Sequence, residues 1–217
     1  MIITLDGPAG AGKSSTARAL AERLGYRFLD TGAMYRALTL AALRQQIPWS
    51  DKPRLAALAR EVRLELKDGR VELNGEDVSQ AIRTSEVTSA VHHVADNPAV
   101  REELVRLQRC VASGRHIVCE GRDQGTVAFP DAECKIFLTA TPEERARRRQ
   151  RELAARGETV DFAMLLAQQN ERDERDATRP VGKLVRAPDA VELVTDGLTQ
   201  PQVVDCLERI VRQRTGT

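Results

Sequence analysis

Gly7-Pro8-Ala9-Gly10-Ala11-Gly12-Lys13-Ser14 satisfies the pattern G-x-x-x-x-G-K-S/T and stands between the apolar run Ile2-Ile3-Thr4-Leu5-Asp6 and an amphipathic stretch over 14–24 that Gly25 ends. No other part of the chain restricts the fold so tightly. The pattern requires a strand, a glycine turn and a helix in that order. Glycines let backbone N–H groups close around phosphate oxygens, and the helix N-terminus adds partial positive charge. Lys13 spans the β- and γ-phosphates of a nucleoside triphosphate, and Ser14 ligates Mg²⁺. Residues 7–14, with Ser15 behind them, are the candidate triphosphate site.

Hydrophobic patterning extends this start. A second short strand is predicted at 26–29 and a helix at 33–45, and further apolar runs at 116–119, 135–138 and 191–194 each border helical stretches. Buried strands separated by helices mean a parallel sheet. The expected fold is therefore α/β, a doubly wound sheet of about five strands of the P-loop NTPase type. Thr141 with Pro142 and Glu144, and Thr199 with Gln202, read as capping boxes that end strands just before them. One segment departs from the alternation. Val62, Leu64 and Leu66 alternate with charges, Asp68-Gly69 follows, and Val71 and Leu73 alternate again, so a two-residue turn pairs Leu66 with Val71 and Leu64 with Leu73. Asn74-Gly75 offers a second turn, giving a small antiparallel β insert. The pattern alone leaves open whether this insert is decoration or serves the site.

Composition narrows the classes. The chain has 217 residues, 41% of them hydrophobic, enough for a sizeable core in one large domain or a core with an insert. Its 33 Lys+Arg against 32 Asp+Glu leave a net charge of +1, which is not the balance of a general nucleic-acid binder. No apolar stretch approaches the roughly 20 residues needed to span a bilayer, and the opening residues carry no basic, cleavable leader, so a soluble cytoplasmic protein is expected. Cys110, Cys119, Cys134 and Cys206 are widely spaced and read as reduced packing residues.

Switches, motors and kinases share the cradle. D-x-x-G and N-K-x-D, the usual marks of switch GTPases, do not occur here, and a neutral chain of this length does not suit a helicase-type motor. A kinase acting on a small acceptor remains. It needs cations facing the transferred phosphoryl and a second anion site. Arg145, Arg147, Arg148, Arg149 and Arg151 follow Pro142 on one helix and spread over more than half its circumference; they read either as a solvated face or as a lid stalk over the triphosphate. A later helix, capped by Asp161 with Val160 and Leu165 as a hydrophobic staple, runs through Glu171-Arg172-Asp173-Glu174-Arg175-Asp176 to Arg179-Pro180. Leu165, Arg172, Asp176 and Arg179 share one stripe of it, so charges continue the inward face. Pairs such as Glu171 with Arg175 explain part of the run as ordinary intrahelical ion pairing.

These residues resemble the bacterial-type cytidylate kinases, the CMP/dCMP kinases of the adenylate-kinase-like group. The resemblance spans nearly the whole chain. It is carried by Ile3-Thr4-Leu5-Asp6-Gly7-Pro8, Leu29-Asp30-Thr31-Gly32-Ala33-Met34-Tyr35-Arg36, Gly75-Glu76-Asp77-Val78, Ile82-Arg83-Thr84, Glu120-Gly121-Arg122-Asp123-Gln124-Gly125-Thr126 and Lys135-Ile136-Phe137-Leu138. The charged helix ending at Arg179 completes it.

The resemblance implies γ-phosphoryl transfer from ATP to CMP or dCMP, with Mg²⁺ as cofactor. It implies a P-loop core at 1–45, 109–145 and 180–217, an NMP-binding insert at about 46–108 that includes the hairpin at 62–78, and a lid at about 146–179. By the same resemblance the acceptor phosphate falls to Thr31, Arg36, Arg122 and Arg179, the sugar to Arg172 and Asp176, and cytosine to Arg101 and Asp123. A carboxylate accepting from the exocyclic amine of cytosine discriminates against uracil, which offers a carbonyl there. Lys13, Arg122, Arg179 and Arg148 form the expected catalytic set. His92 aligns where the family commonly has a serine, Glu120 where it commonly has an aspartate, and Gln124 where it has an apolar residue. The expected partners are ATP and CMP or dCMP, without nucleic acid or membrane, for a monomer. Two rivals stand beside this reading: a P-loop kinase for shikimate or a coenzyme precursor, and a nucleotide-dependent module whose Arg-rich helix meets nucleic acid.

Overall fold

The computed structural model describes residues 1–67, 69–155 and 157–216. In chain order the elements are β1 (Ile2–Asp6), α1 (Lys13–Leu24), β2 (Arg27–Asp30), α2 (Thr31–Arg44), α3 (Lys52–Glu61), β3 (Leu64–Lys67), β4 (Arg70–Leu73) and β5 (Glu76–Asp77). After a short 3₁₀ turn, Ala81–Arg83, come α4 (Ser85–Ala95), α5 (Pro98–Ala112), β6 (Ile117–Gly121), a single π-helical turn at Gln124–Ala128, β7 (Cys134–Thr139), α6 (Pro142–Ala154), α7 (Phe162–Thr178), β8 (Val191–Val194) and α8 (Gln200–Thr215). No helix of the described residues is long and apolar enough to cross a membrane.

The chain divides into two compact units, one of Met1–Phe28 with Arg115–Thr217 and one of Leu29–Gly114. The five-stranded sheet has the order β2-β6-β1-β7-β8. β1 pairs in parallel with β6 on one side and β7 on the other, with Asp6 opposite both Gly121 and Phe137, and β7 pairs in parallel with β8. The expected parallel α/β sheet is therefore present. One face of its centre is apolar and is covered by α1 and α8: Ile3, Leu5, Val118, Ile136 and Leu138 lie on that face and are buried with Leu20 of α1 and Leu207 of α8. Burying one such side chain contributes roughly 1.5–3 kcal/mol, so this cluster holds the strand ends that carry the site.

Two boundaries shift for local reasons. The strand expected at 26–29 begins at Arg27, because Gly25 closes α1 in the left-handed conformation (φ 66°) and Tyr26 N–H donates back to the Ala21 carbonyl at 2.8 Å. The helix expected from 33 begins at Thr31, because the Asp30 carboxylate accepts from Ala33 N–H and caps it. The Thr199 box is built as expected on its glutamine side: Gln202 Oε1 accepts from Thr199 N–H and Oγ1, both at 2.9 Å. The Thr141 box is only half formed. Thr141 Oγ1 accepts from Glu144 N–H, but Asp196 takes the Thr141 N–H and hydroxyl, leaving Glu144 to accept from Arg148.

In the second unit β3, β4 and β5 form an antiparallel sheet with Leu66 opposite Val71 and Leu64 opposite Leu73, the expected register. Asp68 of the expected turn lies outside the described residues. The second turn has Asn74 at φ 54° and Gly75 at φ 87°, the two left-handed residues a tight hairpin turn requires. Arg44 of α2 donates to both carboxylate oxygens of Glu76 and ties this sheet to the helices of its unit.

Candidate active site

The cradle grows from the end of β1. Gly7 adopts φ 149°, and a Cβ there would lie 1.9 Å from the Leu138 carbonyl oxygen, so only glycine lets the chain leave β1 against β7. Five residues on, Gly12 (φ 89°) turns the chain into α1 without any side-chain cap, which leaves the first N–H groups of the helix for an anion. Lys13 is buried, and its Nζ donates to the Pro8 carbonyl at 2.7 Å. Burial, then the nearby positive charge of Arg122, pushes Lys13 down to about 7; Glu120 and Asp6 oppose the shift. Ser14 Oγ donates to Glu120 Oε1 at 2.5 Å, and Ser15 Oγ donates to the Gly12 carbonyl.

Helices α6 and α7 both hold this loop. The Ala9 carbonyl accepts from Arg145 Nη1 at 3.1 Å and from Gln169 Nε2 at 2.7 Å, and Arg145 also forms an ion pair with Asp173. Arg148 Nη1 reaches the Ala11 carbonyl at 3.4 Å and Thr195 Oγ1 at 3.0 Å, its Nη2 donates to the Thr195 carbonyl, and its Nε to Glu144. The five arginines of α6 thus divide. Arg145 and Arg148 turn to the cradle, Arg147 lies over the Phe162 ring, Arg149 pairs with Glu152 and Arg151 is exposed. Asp161 caps α7 at Met164 N–H, and Leu165 shares a buried cluster with Val160, as the staple requires.

Beyond the cradle, one carboxylate organises two guanidinium groups. Asp176 Oδ2 accepts from Arg122 Nε at 2.8 Å, and its Oδ1 from Arg179 Nη2. Burial pushes the Asp176 carboxyl up, but Arg122 and Arg179 beside it hold it below the ordinary carboxylate range. Arg122 moves the other way: burial pulls it down, but the charge and hydrogen bond of Asp176 outweigh that and raise it. Arg172, on the same helix, adds positive charge that is felt by both Asp176 and Lys13. Asp123 follows Arg122 and is only 3% exposed; it starts the π-helical turn, whose backbone is held by Asp6.

The remaining candidates belong to the second unit. Thr31 is buried in the first turn of α2. Arg36 Nη1 donates to Thr88 Oγ1 at 2.8 Å. Arg101 is 3% exposed, lies 5.3 Å over the Tyr35 ring and donates to the Ala95 carbonyl. His92 Nδ1 is 2.7 Å from the Ser89 carbonyl, and His93, beside it, stacks on Trp49. Within the first unit the structure thus assembles Lys13, Ser14, Arg148, Arg122, Asp123, Arg172, Asp176 and Arg179. Two partners were not singled out from sequence, Asp6 and Gln169, whereas Arg145 stood among the candidate lid arginines and Glu120 among the departures from the family pattern. Glu120 had a signal, a carboxylate ending the buried run Ile117-Val118-Cys119.

Among the described residues no group of three His, Cys, Asp or Glu is arranged to hold a metal. Ser14 and Glu120 nevertheless fit Mg²⁺, which binds hard oxygens and shares its shell with phosphate and water rather than needing an all-protein cage.

A parallel sheet whose first strand feeds a glycine cradle, Lys13 and Ser14 defines a P-loop nucleotide-binding protein. Likeness to a solved shikimate kinase from Acinetobacter baumannii, with a TM-score of 0.50 and 13% identity over 100% of this chain and 95% of that one, agrees on the fold alone. Residues 3–213 match the family of cytidylate kinases. The chain is 53% identical to a cytidylate kinase from Rhodopirellula baltica, covering 98% of this chain and 93% of that one, and 50% identical to a cytidylate kinase from Pelotomaculum thermopropionicum, covering 97% and 92%. It belongs to the cytidylate kinase family.

Proposed function

We propose that this chain transfers the γ-phosphoryl group of ATP to CMP or dCMP, giving ADP and CDP or dCDP. The observation that carries the reading is the Arg122–Asp176–Arg179 node. A buried guanidinium group, Arg179, and a partly buried one, Arg122, share one carboxylate, and the charge of Arg122 bears on Lys13, which supports a second anion site beside the cradle. Membership of the cytidylate kinase family supplies the acceptor class.

The chemistry requires no strong base. An oxygen of the CMP phosphate is already anionic; it bonds to the γ-phosphorus as the bond from that phosphorus to the β-bridging oxygen breaks, and ADP leaves with the electron pair. The chain supplies alignment and positive charge. Residues 7–14 and Ser15 hold the triphosphate; its charge favours the ammonium form of Lys13, which burial disfavours. Ser14 and Glu120 would hold Mg²⁺, which supplies charge neutralisation between the β- and γ-phosphates when bound. Arg148, Arg122 and Arg179 face the transferring group. For the acceptor, Arg122 and Arg179 take its phosphate, Arg172 and Asp176 its sugar and Asp123 its cytosine amine. Thr31, Arg36, Arg101 and His92 are assigned to acceptor contacts by the family resemblance alone. The four cysteines are free thiols, in keeping with the reducing cytoplasm.

Acceptor profiling tests the reading. Purified protein with Mg²⁺ and ATP is offered CMP, dCMP, UMP, AMP, GMP and shikimate separately in a coupled ADP-release assay. Strong turnover with CMP and dCMP and weak turnover with UMP is the expected result. Preference for shikimate or for a purine nucleotide would overturn it.

A further inference from the structure

Asp6, the last residue of β1, commits both carboxylate oxygens to one distant turn. Oδ1 accepts from Gln124 N–H at 2.9 Å and Oδ2 from Gly125 N–H at 2.7 Å. The peptide between Asp123 and Gln124 is thereby held at both ends, because the Asp123 carbonyl accepts from Val127 N–H at 2.8 Å and Ala128 N–H at 3.2 Å. Asp123 itself sits at φ −141° and ψ 26°, outside the helix and strand basins. No regular element fixes the direction in which its side chain leaves the backbone; the clamped peptide does. The approach is close. A Cβ on Gly125 would stand 3.0 Å from Thr4 Oγ1, 3.2 Å from Lys135 Cδ and 3.4 Å from Asp6 Oδ2.

We propose that Asp6 is a positioning residue for base selection: by holding the N–H groups of Gln124 and Gly125 it aims the Asp123 carboxylate, and so sets the preference for a 4-amino over a 4-oxo pyrimidine. This rests on the assignment of Asp123 to the cytosine amine made above. A carboxylate is the side chain the clamp requires. It accepts from two N–H groups at once, whereas the isosteric amide of asparagine accepts from one and sets its own N–H₂ against the other. Asp6 is also buried beside the first glycine of the cradle, so a rival role on the donor side has to be separated.

The test compares wild type, Asp6→Asn, Asp123→Ala and the double variant, reading kcat/KM for CMP and for UMP together with the KM for ATP. Asp6→Asn is expected to lower the CMP/UMP ratio of kcat/KM about tenfold, the effect of one misdirected hydrogen bond. The KM for ATP is expected to stay within about twofold, and Asp6→Asn to add nothing to the ratio once Asp123 is alanine. Gly125→Ala, which presses on the same clamp from its other side, should shift the ratio in the same direction and replaces Asp6→Asn where that variant is not soluble. A ratio unchanged by Asp6→Asn but lowered by Asp123→Ala overturns the positioning role and leaves the base-reading role intact. A loss carried by the KM for ATP with the ratio preserved assigns Asp6 to the donor side and also overturns it. If Asp123→Ala leaves the ratio unchanged, the assignment of Asp123 falls, and the role of Asp6 with it.

Discussion

Ser14 donates its hydroxyl proton to the Glu120 carboxylate at 2.5 Å, joining the first turn of α1 to the end of β6. In the proposed reaction Ser14 and Glu120 would hold Mg²⁺, and even a group that only orients a metal ligand is typically worth about 10–100-fold in metal affinity or activity. Glu120→Gln is therefore expected to raise the Mg²⁺ concentration for half-maximal activity by about tenfold or more. A titration of Mg²⁺ at saturating ATP and CMP checks this, and an unchanged midpoint would separate Glu120 from the metal.

On the proposed assignment, the Asp176 node would couple acceptor binding to stability. Breaking a buried ion pair by removing one partner costs about 3–5 kcal/mol, because the remaining charges stay buried, and Asp176, Arg122 and Arg179 are mostly buried. Asp176→Ala is expected to lower unfolding free energy by that order and to raise the KM for CMP. The sign with pH follows from the lowered carboxyl. Its stabilising contribution is complete above the ordinary aspartate value of about 4 and is lost as pH falls through the lower folded value. Urea melts below about pH 4 should show wild type and the alanine variant converging.

Asp6 has the opposite sign. Burial is the largest influence on it and pushes its carboxyl up to about 6, against the two backbone N–H groups and Lys13, with the charge of Asp123 adding to the rise. Between about 4 and 6 the folded state holds a proton that the unfolded state has lost, so Asp6 makes the protein less stable as pH rises across that window. Asp6→Asn is expected to flatten this part of the stability profile, by an amount of order 3 kcal/mol, while degrading base selection. Melts of both proteins at pH 4.5 and 7 measure the difference; parallel profiles would contradict the assignment.

The sequence was most legible where the determining neighbours are local. β8 lies at 191–194 as expected, and the hairpin register follows from alternation and turn residues. Boundaries slipped where a cap spoke before the hydrophobic pattern, at Gly25 and Asp30. Glu120 and Asp6 are a different case. Their roles depend on β6 lying beside β1, which places Gly121 opposite Asp6 although more than a hundred residues separate them in the chain. Spacing along the chain carries no signal for that register, so the sequence could mark the carboxylates but not their partners.

Arg148 and Arg149, adjacent on α6, should behave unlike each other. Arg148 reaches the Ala11 carbonyl of the cradle, whereas Arg149 makes an exposed pair with Glu152. Such surface pairs contribute about 0–1 kcal/mol, so Arg149→Ala is expected to leave the KM for ATP unchanged. Arg148→Ala is expected to raise it and to lower kcat, together reducing kcat/KM about tenfold or more. Equal effects of the two substitutions would return the whole helix to the role of a solvated basic face.

In the proposed reaction the γ-phosphoryl group of ATP passes to the phosphate of a cytidine nucleotide. Phosphorus-31 NMR of wild-type protein with Mg²⁺, ATP and CMP observes that transfer directly. Resonances of CDP and ADP are expected to grow in equal amounts, with no inorganic phosphate, and both are expected to be lost in Lys13→Ala. Growth of ADP with inorganic phosphate and without CDP would show that ATP is hydrolysed rather than used for transfer, and would contradict the account.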